Sequence, residues 1–310
     1  MLNYHNLERD PLQGATLPQI HDPKDIEPHW MPGQTNEAYH GDKTAVSSTG
    51  LKKILKSPAS FYQYHVLGET EEPTDAMKFG SAFHMYLLEP AEFKRNYLRV
   101  PRFVGKTKEG KDSENCAESR AMKEAWYKAL PSTAVAMTDE EMDKLEGMLK
   151  ALKRHKEAVN ILKHGIPEVS GYYVDPETGI LCKIRPDFYH VSVKLRALLD
   201  LKTAADCTKR RFQSVIYDRK YHLSLAMYCE GIKIITGEDV QYPVLLAIEK
   251  LAPYEIAGYV ADKEMMAKGS EDYHHCLRTL KHCMTTNLWP GYQSKFEDIG
   301  LPSWALTEYE

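Results

Sequence analysis

The sequence predicts a mixed α/β domain in which helices flank a central sheet. Residues 47–163 have apolar side chains mainly at helical spacing. Between residues 169 and 201 the pattern changes to short apolar runs separated by Asp, Pro and Gly, which is typical of strands and tight turns. A helical segment, a strand pair and a last helix follow. Helices and strands in this order predict helical layers packed on a sheet.

The first forty-six residues contain repeated prolines and no regular period, so we predict an irregular N-terminal arm over residues 1–46. Ser47 and Ser48 are candidate N-caps of a first helix that ends near Pro58. Residues 47–310 contain no internal repeat and no low-complexity segment. We therefore predict that they form a single domain.

The remaining elements follow from periodicity and from turn residues. Residues 80–89 predict a helix that stops at Pro90, the polar residues 104–118 predict a mobile loop, and residues 117–163 predict helices with breaks. The later predicted elements are strands at 169–174, 180–189 and 195–201, a long helix at 209–236, strands at 244–249 and 255–260, and a helix at 262–284. Residues 175–179 contain Pro and Gly and predict the connection of a hairpin.

The composition is that of a soluble globular protein. Of 310 residues, 43% are hydrophobic and 27% are charged, with a net charge of −4. No apolar run approaches the roughly 18–20 residues that span a membrane, and the first residues do not resemble an export signal. The six cysteines show no Cys-x-x-Cys spacing, which argues against a zinc ribbon and an Fe–S cluster. We expect a cytoplasmic protein without a membrane partner.

Four charged residues near the ends of predicted strands are candidate catalytic residues: Glu168, Asp187, Asp200 and Lys202. Asp200 and Lys202 are two positions apart on one strand and so point to the same face. Carboxylates that converge at a sheet edge suit Mg²⁺, and a nearby lysine can hold water or stabilise charge on a phosphate. An Asp-x-Lys pair is also a common surface salt bridge. Its position at the end of an apolar run favours the catalytic interpretation, because unpaired buried charges are costly.

The order Glu, Asp, Asp-x-Lys resembles the PD-(D/E)xK nuclease core. The segment Gly80-Ser81-Ala82-Phe83-His84 resembles the Gly-x-x-x-His helix of the RecB-like branch. Further similarity to the RecE-type exonucleases of phages and prophages lies in residues 175–187, 221–228, 288–290 and 301–305. The resemblance extends from about Ser47 to Trp304. It implies a restriction-endonuclease-like core with a central mixed sheet flanked by helices.

The resemblance also implies a role for each matching residue. The implied metal ligands are His84, Asp187, Asp200 and the backbone carbonyl of Leu201. Lys202 matches the catalytic lysine, and Glu168 matches the carboxylate that precedes the hairpin. The implied cofactor is Mg²⁺, for which Mn²⁺ is expected to substitute. No ATP site is expected, since residues 105–110 lack the order of a phosphate-binding loop.

The predicted helix 209–236 carries a row of hydroxyl side chains at helical spacing: Tyr217, Tyr221, Ser224 and Tyr228. RecE-type enzymes present Gln-x-x-x-Tyr at the positions of Ser224 and Tyr228. Serine is shorter than glutamine, so we rank Tyr228 first. The row fits either a core stripe or a surface that contacts the DNA backbone, and the predicted DNA-binding residues are Tyr228, Ser224, Tyr221 and Arg185. Lysines of the first helix, such as Lys52, form a solvated face in most soluble proteins and are candidates for phosphate contacts in a nuclease, and the sequence does not decide between the two.

These features predict a Mg²⁺-dependent DNA phosphodiesterase. The resemblance further implies 5′→3′ digestion of linear double-stranded DNA from its ends, which leaves 3′ single-stranded tails for recombination by single-strand annealing. It implies an annealing partner of the RecT type, a ring-shaped homotetramer, and a phage or prophage gene expressed in the bacterial cytoplasm. Two alternatives stay open. One is a structure-specific endonuclease with the same core, and the other is a non-catalytic DNA-binding protein that loads the annealing protein.

Overall fold

Two main sheets organise the structure, a computed structural model that describes residues 16–69, 72–192, 195–293 and 295–302. In chain order the strands are β1 (His29–Met31), β2 (Tyr97–Arg99), β3 (Gly105–Lys106), β4 (Asp112–Ser113), β5 (Val135–Met137), β6 (Ile166–Pro167), β7 (Ser170–Val174), β8 (Leu181–Ile184), β9 (Phe188–Val191), β10 (Arg196–Ala204), β11 (Tyr242–Glu249) and β12 (Ile256–Val260). One sheet has the order β1-β7-β8 and the other the order β12-β11-β10-β9-β6. The short strands pair as β2 with β5 and β3 with β4.

Helices occupy most of the remaining described chain. They are α1 (Asn36–Gly41), α2 (Ser48–Lys56), α3 (Pro58–Phe61), α4 (Asp75–Leu88), α5 (Pro90–Asn96), α6 (Ala117–Ala129), α7 (Asp139–Arg154), α8 (Lys156–Leu162), α9 (Lys209–Asp218), α10 (Tyr221–Thr236) and α11 (Lys263–Thr286). A π-helical turn, Tyr62–Val66, follows α3. Every helix in the described ranges is too short or too polar to cross a lipid bilayer.

The two faces of the five-stranded sheet bury different cores. Leu198 of β10 belongs to a core that it shares with Leu51 of α2 and Leu223 of α10. Leu199, the next residue, belongs to a second core with Phe83 of α4. This alternation follows from the period of two along a strand. The mixed α/β fold predicted from the sequence is therefore confirmed.

The sheet is mixed because β10 runs parallel to β11 but antiparallel to β9. Strands β10 and β11 are joined through α9 and α10, which provide the crossover that a parallel pair requires. At the outer edge, β12 is antiparallel to β11. The sheet combines a parallel centre with antiparallel neighbours, as the central mixed sheet of the prediction requires.

The single strand predicted over residues 180–189 is wrong. The chain forms β8 and β9 instead, which belong to different sheets and are separated by Arg185-Pro186-Asp187. Proline has no N–H to donate to a strand ladder, so Pro186 favours an interruption at this point. The break places Asp187 directly before β9, in the central sheet.

The single long helix predicted over residues 209–236 is also wrong. Lys220 has a left-handed backbone conformation, with φ of 54°, and separates α9 from α10. Tyr217 therefore lies on α9, whereas Tyr221, Ser224 and Tyr228 lie on α10. Tyr217 is 61% exposed, and its ring stacks on that of His222 with the ring centres 6.1 Å apart.

Two further segments are more ordered than the sequence predicted. Residues 104–118, predicted as a mobile loop, contain β3, β4 and the start of α6. In the N-terminal segment, residues 1–15 lie outside the described residues, but residues 16–46 contain β1 and α1. Strand β1 pairs antiparallel with β7. The described part of the predicted arm thus supplies an edge strand of the three-stranded sheet. The single-domain boundary at residue 47 stays a prediction.

Candidate active site

Three carboxylate residues lie in one row across neighbouring strands: Glu168, Asp187 and Asp200. Phe188 of β9 is opposite Pro167 of β6 and Leu199 of β10, which sets this register. One position further along, the N–H of Glu168 donates to the carbonyl of Asp187 over 3.2 Å. Residues that lie opposite each other on adjacent strands project from the same face. The register therefore brings the three predicted acidic residues together at the end of the sheet.

His84 reaches this row from α4. A Cβ atom at Gly80 would lie only 3.1 Å from Oγ1 of Thr203, so glycine allows α4 to approach β10 closely. One turn later, Nδ1 of His84 lies 3.6 Å from Oδ1 of Asp187. The Gly-x-x-x-His spacing thus combines a close helix–strand contact with a histidine aimed at the carboxylates.

His84, Glu168 and Asp187 offer ligand atoms that all lie within 4.8 Å of one another. Burial raises the pKa of Glu168 to about 9, with further contributions from Asp187 and Glu89 that Arg185 offsets only in part. Carboxylate oxygens and imidazole nitrogen suit a divalent cation, whose charge would relieve this repulsion. These residues fit a divalent metal ion.

Asp200 lies beside this group and pairs with Lys202. Asp200 is 2% exposed, and its Oδ2 lies 2.6 Å from Nζ of Lys202. Burial and the charge of Asp187 raise the pKa of Asp200, although Lys202 opposes them. Burial would lower the pKa of Lys202, but the two aspartates outweigh it and raise that pKa. The two aspartates therefore favour the protonated, cationic form of Lys202.

The backbone of Leu201 links the same residues. Its N–H donates to Oδ2 of Asp187 over 2.5 Å, and its carbonyl accepts from Nζ of Lys202 over 3.1 Å. Nζ of Lys202 also lies 3.8 Å from Oδ2 of Asp187. The Leu201 carbonyl, predicted as a metal ligand, thus contacts Lys202 next to Glu168, Asp187 and Asp200, which we call the acidic group.

Two of the predicted DNA-binding tyrosines lie near the carboxylates. The ring centre of Tyr221 is 5.1 Å from Nζ of Lys202. Burial, assisted by the charges of Asp200 and other groups, raises the pKa of Tyr228 well above its usual value, and the side chain of Ser48 hydrogen bonds to it. Ser224, in contrast, is only 4% exposed and lies among the buried residues of α10.

Arg185, which the sequence predicted to bind DNA, has several intramolecular partners in the structure. Its side chain is 8% exposed, and Nε donates to Oγ of Ser170 over 3.1 Å. The guanidinium also donates to the side chain of Asn36, over 3.4 Å, and to the carbonyl of Gln34. It lies 4.7 Å from the ring centre of Tyr39. Arg185 therefore links the N-terminal segment that contains Gln34 and Asn36 to the region of the site.

The sequence did not identify Tyr39 and Glu89 as residues near the site. Tyr39 lies in a segment without a periodic pattern, and contacts with Arg185 and Lys183 bring it close. Glu89 is the C-cap of α4, five residues after His84, and its charge raises the pKa of Glu168. Glu89 comes shortly after the predicted ligand His84, and this spacing is the sequence feature that could have identified it.

Comparison with known proteins agrees with this architecture. A family model described as "PDDEXK-like domain of unknown function (DUF3799)" matches residues 47–299. The fold is similar to that of a crystal structure named "Putative exonuclease" from Eubacterium rectale, with a TM-score of 0.54 and 16% sequence identity over 89% of this chain and 98% of that one. At this identity the likeness shows the fold alone. No curated protein matches the chain.

The family match covers most of the chain and includes every residue of the acidic group. The fold, the row of carboxylates and the adjacent lysine agree with that match. The chain therefore belongs to the PDDEXK-like family DUF3799, within the PD-(D/E)xK nuclease superfamily.

Proposed function

We propose that this nuclease is a Mg²⁺-dependent 5′→3′ exonuclease that acts on the ends of linear double-stranded DNA. The observation that carries the proposal is the group of His84, Glu168 and Asp187 beside the protonated Lys202. The resemblance of the sequence to RecE-type exonucleases supports the direction and the substrate.

His84, Glu168 and Asp187 would hold the divalent cation, and Asp200 and the carbonyl of Leu201 are proposed as additional ligands. When bound, the cation supplies positive charge that stabilises the negative charge developing on the phosphate. The carboxylates would position that charge at the end of the sheet, and Glu168 would give up its proton on binding the cation.

Lys202 would act through its positive charge. Asp200 and Asp187 keep its ammonium group protonated, so it donates hydrogen bonds and does not remove a proton from water. In this position it would orient the attacking water or a phosphate oxygen. Water attacks the phosphorus and loses a proton to the solvent, and the bond to the 3′ oxygen of the terminal nucleotide breaks as that oxygen takes up a proton. The products are a 5′ mononucleotide and a shortened strand.

The proposed biological role is to make 3′ single-stranded tails for recombination by single-strand annealing. The RecT-type annealing partner, the ring-shaped homotetramer, the cytoplasmic location and the phage or prophage origin rest on the resemblance alone. Native mass spectrometry tests the ring directly. A species of four chains at micromolar concentration is expected, and a monomer alone would contradict it.

A digestion assay with Mg²⁺ tests the proposed activity. Linear duplex DNA, closed circular DNA and an Asp200→Ala variant are compared at equal protein concentration. We expect wild-type protein to release 5′ mononucleotides from the linear duplex, to leave the circle intact, and to lose activity in the variant. Cleavage of the circle would identify an endonuclease, and no cleavage of either DNA would leave a DNA-binding protein.

A further inference from the structure

A second lysine, Lys52 of α2, lies next to the candidate active site. Its Nζ is 5.5 Å from the ring centre of Tyr221, and Nζ of Lys202 is 5.1 Å from the same ring centre. The two lysines come from different elements, a helix and a strand. Two ammonium groups thus converge on one aromatic side chain at the edge of the acidic group.

The two lysines differ in their partners. Lys202 pairs with Asp200 over 2.6 Å. Within the described ranges, Lys52 forms no ion pair with a carboxylate, and its recorded contact is with the ring of Tyr221. Burial and the nearby charge of Lys202 lower the pKa of Lys52 to about 8, and Asp200 opposes them in part. A half-buried ammonium beside another cation is unfavourable unless an anion joins it.

Lys183 shows how this fold accommodates a lysine with a structural role. It is buried in β8, and its Nζ donates to the carbonyl of Asp42 over 2.5 Å and to the carbonyl of Tyr39. No such carbonyl acceptor is recorded for Lys52 among the described residues. Packing of α2 is provided by Leu51 and Ile54, which are buried in the core. Of these three lysines, Lys52 is therefore the one that has neither a carboxylate nor a carbonyl partner among the described residues.

We propose that Lys52 binds a non-bridging oxygen of the scissile phosphate and so acts as a second phosphate-binding residue beside Lys202. The proposal rests on the proposed nuclease function. A phosphodiester carries one negative charge, which the converging ammonium groups would share. The phosphate would approach the carboxylates only as part of a complex with the cation, and the lysines would bind the oxygens that the cation leaves free.

A binding experiment tests this contact without requiring cleavage. Fluorescence anisotropy with Ca²⁺ compares two duplexes that end in a 5′ hydroxyl. One has an ordinary first linkage, and the other has a neutral methylphosphonate there. We expect Lys52→Gln to weaken binding of the ordinary duplex about tenfold and to leave binding of the methylphosphonate duplex nearly unchanged, because the contact is already lost. Equal weakening for both duplexes would overturn the proposal.

Rates of hydrolysis with Mg²⁺ form the second part of the test. Lys52→Gln should lower the rate about tenfold or more on duplexes with either a 5′ phosphate or a 5′ hydroxyl, and Lys52→Arg should retain most of the rate. Lys153→Gln, which removes an exposed lysine of α7, is the matched control. A loss confined to 5′-phosphorylated duplexes would overturn the proposal and assign Lys52 to the end phosphate.

The two parts separate the failure of this proposal from that of the proposed function. If wild-type protein digests linear duplex and Lys52→Gln equals Lys153→Gln, the role of Lys52 is wrong and the nuclease proposal stands. If wild-type protein is inactive, the nuclease proposal fails, and the anisotropy comparison still decides whether Lys52 contacts that phosphate. Equal melting temperatures for the lysine variants exclude unfolding as the cause of a loss.

Discussion

Two buried aspartates of this protein pair with lysines and yet differ in their electrostatics. Asp272, on α11, accepts from Nε2 of His222 over 3.0 Å and lies 2.8 Å from Nζ of Lys268. Burial would raise its pKa, but these two partners outweigh burial and lower it. In the candidate site, burial and Asp187 raise the pKa of Asp200 although Lys202 lies 2.6 Å away.

The difference lies in the ratio of acids to bases. Between α10 and α11, one carboxylate has two nitrogen partners, so the network is balanced and holds the helices together. In the candidate site, several carboxylates share Lys202 and repel one another. Buried repulsion of this kind lowers stability, and proteins retain it where a ligand relieves it. The balanced cluster stabilises the contact between the two helices, whereas the unbalanced one fits a bound cation.

The largest expected effect is on activity. Asp187→Asn should lower the rate of DNA hydrolysis about a thousandfold or more, because it removes the charge of a residue that faces His84, Glu168 and Lys202. The amide keeps an oxygen to accept from Leu201, so the fold should persist. The rate of mononucleotide release from linear duplex measures the effect, with Asp272→Asn as the control that keeps its activity. A rate within tenfold of wild type would contradict the assignment.

The balanced cluster should show the opposite behaviour. Asp272→Asn should lower the free energy of unfolding by about 3 kcal/mol, because Lys268 and His222 lose their carboxylate. Urea unfolding measures it. The lowered pKa of Asp272 means that its stabilisation is present above the ordinary value of 3.8 and is lost as pH falls through the folded-state pKa. The variant and wild type should therefore converge in acid, and a constant difference down to about pH 2 would be inconsistent with this account.

Mg²⁺ should stabilise the wild-type protein. At a concentration a hundred times the dissociation constant, one bound ion adds about 2.7 kcal/mol to the free energy of unfolding. Thermal melting with and without Mg²⁺ measures the effect, and Asp187→Asn should show little of it. An unchanged wild-type melting temperature would mean that the acidic group does not bind this ion.

The smallest effect concerns Glu168 in the absence of metal. Because its pKa rises from 4.5 to about 9 on folding, the folded protein keeps a proton that the unfolded chain releases. Stability should therefore fall as pH rises across that window. Glu168→Gln should remove this slope and be more stable than wild type by about 1–2 kcal/mol near pH 6. Equal pH slopes for the two proteins, measured by urea unfolding, would show that the repulsion is absent.

Much of this arrangement follows from local sequence. The two-residue spacing of Asp200 and Lys202 predicts a shared face, and the structure places their charged groups 2.6 Å apart. The Gly80-to-His84 spacing predicts a histidine one helical turn after a close contact, which the structure also shows. Such features depend on the regular geometry of one helix or strand, which the sequence specifies.

What the sequence did not predict depends on contacts between distant segments or on single backbone conformations. Two partners of the buried Arg185 side chain come from residues about 150 positions earlier. The break between α9 and α10 depends on the left-handed conformation of Lys220, a residue type that rarely adopts it. The break at Pro186 had a visible signal, but the apolar residues on both sides suggested one continuous strand.

The pairing of β1 with β7 has a consequence for the order of folding. His29 lies opposite Tyr172, so this pairing closes a loop of nearly half the chain. Closing such a loop costs conformational entropy before its contacts form, and we expect β1 to join late and to detach early. Because the same segment supplies the partners of Arg185, its detachment would free that guanidinium beside the carboxylates while the central sheet is still intact.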